Sequence, residues 1–333
     1  MKDILNFGLV GCGAAAITHA RLLAEIPEAR LAFVADKNYE AARAFAEKYG
    51  ATAADSLDAM LSDETVDAII IATPSCFHKE NAIAALNAGK HVVLEKPMAL
   101  STEDCDEIIE HIKSSGKILT VMSQMRFSDD ILKLKRLISE GAFGRISLAE
   151  LVMKYYRSSE YYSSSDWRGT LKYDGGGALI NQGIHGIDLI MYILGDILRV
   201  KAFKKTSVHS IEAEDTLSAA VEFECGALGV IEASTCAYPG FDRVIKIHGD
   251  LGYCVLRENV ITELMVNGER IDVSSDEAHN MSATNAVADV RYHRAQVQNF
   301  VNAVFGKEPL VTDCYDGRRA VKVIEAIYRD TAR

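Results

Sequence analysis

A chain of 333 residues is too long for one typical domain and comfortable for two, each large enough to bury its own core. With 49% hydrophobic and 25% charged residues it reads as an ordinary globular protein, and a net charge of −11 argues against nucleic acid or an anionic membrane as partner. No apolar run approaches the ~20 residues that span a bilayer, and the seven scattered cysteines contain no Cys-x-x-Cys, so no disulfide framework, structural zinc or other metal site is expected.

The first residues run into a strand pattern without a charged-then-apolar leader. With the reduced thiols this gives the expectation of a soluble, cytoplasmic protein. Residues 4–10 form an apolar run of the kind buried on both faces of a sheet. Gly11-Cys12-Gly13-Ala14-Ala15-Ala16 follows and opens a helical pattern through Leu22, Leu23 and Ile26. The first glycine permits the tight turn, the second lets a pyrophosphate approach the backbone, and the small third residue allows close helix–strand packing. The helix amino terminus then offers N–H groups to phosphate. A second strand, Leu31–Ala35, ends at Asp36, where an acid accepts hydrogen bonds from adenosine ribose hydroxyls and repels a 2′-phosphate. That favours NAD, while the neighbouring Lys37 leaves NADP open. The competing role for Asp36 is a cap on the helix expected at 38–49.

Strands near 51–53, 67–72, 91–94 and 118–122 alternate with helices at 56–62, 77–88, 102–115 and 129–140, which predicts βαβ units and a doubly wound parallel sheet. Ligands bind beyond the carboxyl ends of such strands. Two ends carry chemistry. One is Thr73-Pro74 with His78 close behind, and the other is Glu95-Lys96-Pro97, where a lysine precedes a rigid proline. A purely structural Glu95–Lys96 pair is the alternative there.

After Gly141–Gly144 the pattern changes. Residues 146–156 read as one long strand, followed by a polar loop rich in tyrosine and then Asp166-Trp167-Arg168-Gly169. A helix is expected at 177–194, strand-like segments at 197–208, 215–224, 227–235, 242–248, 251–257 and 260–266, a loop at 274–288, and helices at 292–305 and 316–331. Turns at Glu224–Gly226 and His248–Gly252 suggest hairpins of an antiparallel sheet. On the 177–194 helix Asn181, His185 and Asp188 stand at i, i+4 and i+7, one polar stripe among Leu179, Ile184, Ile187 and Ile190. Such a stripe is costly to bury unless each group has a partner. A structural histidine satisfied by its neighbours is the plain alternative to a proton-transfer site.

Taken in order, Gly11-x-Gly13-x-x-Ala16, Asp36, Glu95-Lys96-Pro97, Arg126-Phe127 and Gly176-Gly177 with Asn181 and His185 resemble the glucose–fructose oxidoreductase/inositol dehydrogenase/MocA family across essentially the whole chain. The resemblance implies an α/β protein: a Rossmann domain over 1–125 and a domain over 126–315 with a large open, mostly antiparallel sheet. A terminal helix at 316–333 would pack back on the first domain, and homo-oligomers would form through the open sheet. It implies Lys96, His185 and Asn181 as catalytic residues. Gly11, Cys12, Gly13, Ala14, Ala15, Asp36, Lys37, Thr73, Pro74, His78, Glu95, Lys96, Gln124, Trp167 and Arg168 would hold NAD or NADP. Tyr155 and Arg157 would join Lys96, Asn181 and His185 around a sugar or nucleotide sugar. Many members have Asp where this chain has Asn181, which shifts the basic role to His185. The implied reaction is hydride exchange between a sugar's secondary alcohol, by resemblance the 3-hydroxyl of a nucleotide sugar or uronate, and the nicotinamide. Two other functions fit the same residues: NAD-dependent glycoside cleavage by oxidation and elimination, and a non-catalytic dinucleotide sensor.

Overall fold

The computed structural model describes residues 3–273 and 290–331. The chain forms two compact units, Met1–Gln124 with Val287–Arg318 and Met125–Ala286 with Arg319–Arg333.

In the first unit, β1 (Leu5–Val10), α1 (Ala14–Leu23), β2 (Ala29–Ala35), α2 (Tyr39–Tyr49), β3 (Thr52–Ala53), α3 (Leu57–Leu61), β4 (Ala68–Ile71), α4 (His78–Asn87), β5 (His91–Leu94), α5 (Thr102–Ser115) and β6 (Leu119–Val121) follow in turn. Every residue of β4 (Ala-Ile-Ile-Ile) is buried, the mark of a parallel strand covered on both faces. The sheet order is β3-β2-β1-β4-β5-β6 with all pairs parallel, so the strand order reverses between β1 and β4, the ligand-binding switch point of a doubly wound sheet. Local chemistry starts the helices. Asn38 caps α2 by accepting from the N–H groups of Glu40 and Ala41, and Ser101 caps α5 by accepting from Asp104.

The second unit contains α6 (Asp129–Ser139), β7 (Ile146–Lys154), a one-turn helix α7 (Ser159–Ser163), α8 (Ile184–Leu194) and strands β8 (Ile197–Lys205), β9 (Thr216–Phe223), β10 (Leu228–Ser234), β11 (Val244–Gly249), β12 (Tyr253–Arg257), β13 (Val260–Val266) and β14 (Glu269–Ile271). These strands make an eight-stranded sheet in the order β14-β13-β12-β11-β7-β10-β9-β8. The pairs are antiparallel except β7 with β10, which run parallel, so the sheet is mixed. Period-two burial places Ala149, Leu151 and Met153 of β7 in a core with Ile187, Ile190 and Ile193 of α8. On the other face Leu148, Phe203, Leu228 and Val230 remain exposed, Phe203 at 85%.

Two boundaries differ from the sequence reading. Residues 126–315 do not form one domain, because α9 (Arg291–Val304) belongs to the first unit. Val297, Phe300 and Val301 of α9 are fully buried in the core that holds Phe7, Leu22 and Ile70. Gln296 locks the helix in place: its amide donates to Thr120 Oγ1, Val121 O and Thr312 Oγ1, and its Oε1 accepts from Ser123 N–H. The last helix, α10 (Cys314–Asp330), is divided between the two units at Arg318. From Arg319 onward it belongs to the second unit, where Ala320, Val323, Ile324 and Ile327 fill the core under α8. The amphipathic period of both helices is visible in sequence; the surface each stripe covers is not. The loop expected at 274–288 lies outside the described residues.

Candidate active site

At the switch point of the first unit, Gly11 has φ +89°, and a Cβ there would stand 2.7 Å from the Ala72 carbonyl oxygen. Only glycine allows β1 to turn this closely past the end of β4. Gly13, the residue before α1, has open space where a Cβ would be. No side chain caps the helix and no acid occupies its first turn, so its leading N–H groups and positive dipole end suit a phosphate. Asp36 braces this loop: one carboxylate oxygen accepts from Cys12 N–H at 2.8 Å and the other from Asn38 N–H at 2.9 Å. The helix cap itself is Asn38, not Asp36, which leaves the Asp36 carboxylate with lone pairs for ribose hydroxyls. Burial, and then the Asp36 charge, push the Cys12 thiol up to about 11. Lys37 and Ala14 are exposed and Ala15 is half-buried. These residues fit a dinucleotide.

At the end of β5, Glu95 is bonded to more than its neighbour Lys96. Its Oε1 accepts from Nε2 of His19, which is fully buried on α1, at 2.8 Å, while its Oε2 accepts from the Lys96 backbone N–H at 3.3 Å. Burial alone would raise the Glu95 carboxyl. The His19 hydrogen bond, with the charges of His19, His293 and Lys96, outweighs it and holds the pKa at about 2. His78 is also buried, with Nδ1 2.7 Å from Pro97 O and Nε2 3.0 Å from Thr73 O. Burial lowers its pKa against the pull of those two carbonyls. His78 thus lies between the Thr73-Pro74 and Glu95-Lys96-Pro97 segments, and the single N–H of the neutral ring can donate to one of the two carbonyls at a time. Gln124 is buried, and its Oε1 has no partner among the described residues.

The second unit carries Asn181 and His185. The expected single helix over 177–194 begins instead with a π-helical turn, Ala178–Gly183, which passes into α8 at Ile184. π turns of this kind are frequent at functional sites. The wider turn breaks the simple i, i+4, i+7 stripe. Asp188 is buried in a bidentate pair with Arg126, whose guanidinium also lies 4.6 Å from the centre of the Tyr192 ring. Asn181 and His185 stay half-buried. The Asn181 amide is held at both ends: Nδ2 donates to Asp174 Oδ1 and Oδ1 accepts from Gln182 Nε2 at 2.8 Å. Gln182 Oε1 in turn accepts from Arg157 at 2.7 Å, and its Nε2 donates to Tyr161 OH at 3.0 Å. Asp174 Oδ2 accepts from Gly169 N–H, which ties the Trp167-Arg168-Gly169 loop to the same network. Arg168 donates to Tyr161 O and Ser164 Oγ and lies over the Tyr161 and Trp167 rings. Tyr155, just past the end of β7, packs on the core, and burial pushes its hydroxyl up to about 12.

Sequence reasoning missed His19, Asp174 and Gln182. His19 had a usable signal, since it shares a helix with the buried Ala16, Ala20, Leu22 and Leu23 and a histidine there needs a partner. Asp174 and Gln182 had none, because their partners are set by the loop and the π turn.

A Rossmann sheet with a bare glycine turn and a ribose-side acid, followed by a unit with an open mixed sheet, defines a two-domain dinucleotide-dependent oxidoreductase. Residues 5–123 match the model of the oxidoreductase family with an NAD-binding Rossmann fold, and residues 131–255 match the GFO/IDH/MocA C-terminal domain. The chain belongs to the Gfo/Idh/MocA family and is an NAD(P)-dependent oxidoreductase. It is 27% identical to the D-glucoside 3-dehydrogenase of Escherichia coli, over 98% of this chain and 95% of that one. It is likewise 27% identical to the myo-inositol 2-dehydrogenase of Thermotoga maritima, over 95% and 93%. Among solved structures, the WlbA dehydrogenase from Bordetella pertussis, in complex with NADH and UDP-GlcNAcA, is similar at 31% identity and a TM-score of 0.90, with 100% of this chain and 96% of that chain covered. Among the described residues no helix is long and apolar enough to cross a membrane.

Proposed function

We propose that the protein oxidises a secondary hydroxyl of a sugar, the 3-hydroxyl of a nucleotide-linked sugar or its uronate, with NAD as acceptor. The observation that carries this reading is the pair Asn181 and His185 at the π-to-α junction, with the Asn181 amide locked between Asp174 and Gln182. Support for the substrate class comes from the full-length similarity to a dehydrogenase solved with NADH and UDP-GlcNAcA.

His185 removes the hydroxyl proton, since an imidazole suits proton exchange near neutral pH. Lys96 stabilises the developing alkoxide with its charge and N–H donors. Asn181, fixed by its neighbours, orients an adjoining hydroxyl. Arg157 and Tyr155 contact the remainder of the substrate, and Trp167 and Arg168 the cofactor. NAD, when bound, supplies the redox chemistry that no side chain supplies. Asp36 favours NAD over NADP by repelling a 2′-phosphate. In this reading the first unit supplies the glycine turn, Asp36 and Lys96, and the second supplies Asn181 and His185. Self-association through the sheet face that leaves Leu148, Phe203, Leu228 and Val230 exposed, and a reducing cytoplasmic location for cysteines that form no disulfide, belong to the same proposal.

The test is NADH formation with a panel of N-acetylated nucleotide sugars, their uronates, inositols and simple glucosides. Turnover restricted to one nucleotide-sugar class supports the reading. Release of an aglycone without net NADH replaces it with oxidation–elimination. Tight NAD binding with no turnover across the panel overturns it.

A further inference from the structure

The four leading N–H groups of the helix that carries Asn181 and His185 are all satisfied from outside the helix. Gly177 N–H donates to Glu214 Oε2 at 3.1 Å, Ala178 N–H to the Glu214 backbone carbonyl at 2.9 Å, and Leu179 N–H to Glu214 Oε1 at 2.9 Å. Ile180 N–H donates to Tyr328 OH at 3.2 Å, and that hydroxyl donates to Glu214 Oε1 at 2.8 Å. Glu214 is 4% exposed. Gly177 N–H, Leu179 N–H and the Tyr328 hydroxyl all donate to its two carboxylate oxygens; burial raises its pKa, and the Leu179 and Tyr328 donors pull it back down toward the ionised form. The glycines before the helix are explained by this approach. A Cβ on Gly176 would collide with Tyr328 OH, and one on Gly177 with the Glu214 carbonyl. Helix starts are ordinarily capped by the residue just before them. Here the cap comes from the loop ahead of β9 and from α10, and it places a carboxyl group, whose ionised form the dipole favours, at the positive end of the helix.

We propose that Glu214 and Tyr328 are positioning residues for Asn181 and His185. They anchor the first turn in its π winding, and the Glu214 charge supports the imidazolium that His185 becomes. The inference rests on His185 being the base. The charged group that faces Glu214 and Tyr328 is Lys204, whose ammonium lies 4.4 Å from the centre of the Tyr328 ring. Around the helix itself stand Arg126 with Asp188, Asp174, Arg157 and the buried Arg243, which lies beneath Gly186. None of these is altered by the variants below.

The experiment is a histidine Cε1–H NMR titration of the full chain as wild type, Glu214→Gln and Tyr328→Phe, with the His185 signal assigned by its loss in His185→Gln. Loss of the Glu214 charge removes stabilisation of the imidazolium, so the His185 titration is expected to move to lower pH by on the order of half a unit. Tyr328→Phe, which keeps the charge but frees Ile180 N–H, is expected to shift the His185 resonance with a smaller titration change. With the substrate found by the panel, kcat is expected to fall roughly tenfold in Glu214→Gln with the KM for NAD unchanged. A His185 signal and titration identical to wild type in a folded variant overturn the proposal, because lost stability alone would leave them in place. If Glu214→Gln does not fold, Tyr328→Phe carries the same comparison. Failure of the basic role is separately visible: full activity in His185→Ala removes the reading of His185 as base, whatever the titration shows.

Discussion

Nε2 of the fully buried His19 donates to the carboxylate of Glu95 at 2.8 Å, joining the first helix of the Rossmann unit to the residue beside Lys96. Burial would raise the Glu95 pKa, but the His19 bond and the surrounding positive charges leave it at about 2 against an ordinary 4.5. A carboxyl depressed in the folded state contributes stability that is complete above the unfolded pKa and is lost as pH falls through the folded one. Glu95→Gln is therefore expected to cost about 2 kcal/mol near neutral pH. Its deficit against wild type should shrink as pH falls from about 4.5 toward 2. Urea unfolding at a series of pH values checks this, and a pH-independent deficit would contradict it.

Asp36 braces the glycine loop through Cys12 N–H and, in the proposed reading, accepts from the ribose hydroxyls. Asp36→Ala removes both functions. We expect NAD to bind roughly tenfold more weakly or worse, at about 1.4 kcal/mol per tenfold, while NADP loses little or gains. Titration of protein fluorescence with each nucleotide measures the ratio. An unchanged NAD:NADP preference would remove Asp36 from the site.

His185→Ala is expected to lower kcat by ~10²–10⁴-fold with NAD affinity intact. Lys96→Met should also lower kcat, and the loss should not be recovered by raising substrate concentration, because the lysine acts on charge that develops in the transition state. Steady-state kinetics with separate nucleotide titrations distinguish this from weakened binding. Retained turnover in Lys96→Met would sink its assignment.

The Arg126–Asp188 pair is buried, with side chains 4% and 6% exposed. Removing one partner strands the other charge. Asp188→Ala should therefore destabilise the second unit by about 3–5 kcal/mol, and exchanging both partners for apolar residues should recover much of that. Thermal unfolding of the single and double variants decides between the pair as a structural strut and Asp188 as a member of the reactive stripe.

The Rossmann half was legible because its signals are local: all-buried strands such as Ala68–Ile71, glycines at a turn, an acid at the end of β2. The second unit was legible as strands, but the parallel β7–β10 pair was not, since alternation records which residues face inward and not which strand lies alongside. The polar stripe was read with the spacing of an α-helix, and the π turn alters that spacing over Ala178–Gly183, before α8 resumes it at Ile184. Asp188 is paired with Arg126. The α9 stripe gave no hint that Gln296 would reach Thr120, because that bond closes over 176 residues.

That separation has a consequence for how the protein is made. The Rossmann core holds Phe7 and Leu22 together with Val297, Phe300 and Val301, so a ribosome must deliver nearly the entire polypeptide before the nucleotide-binding unit can complete its interior. Until then the apolar surface intended for α9 has no cover, and chains dominated by such distant contacts fold slowly and expose aggregation-prone faces. The second unit lies mostly in the intervening sequence, so emerging chains hold it as a long insertion within an unfinished Rossmann sheet. The interval between synthesis of β6 and synthesis of α9 is therefore the stage at which the unfinished Rossmann core exposes the apolar surface that α9 covers.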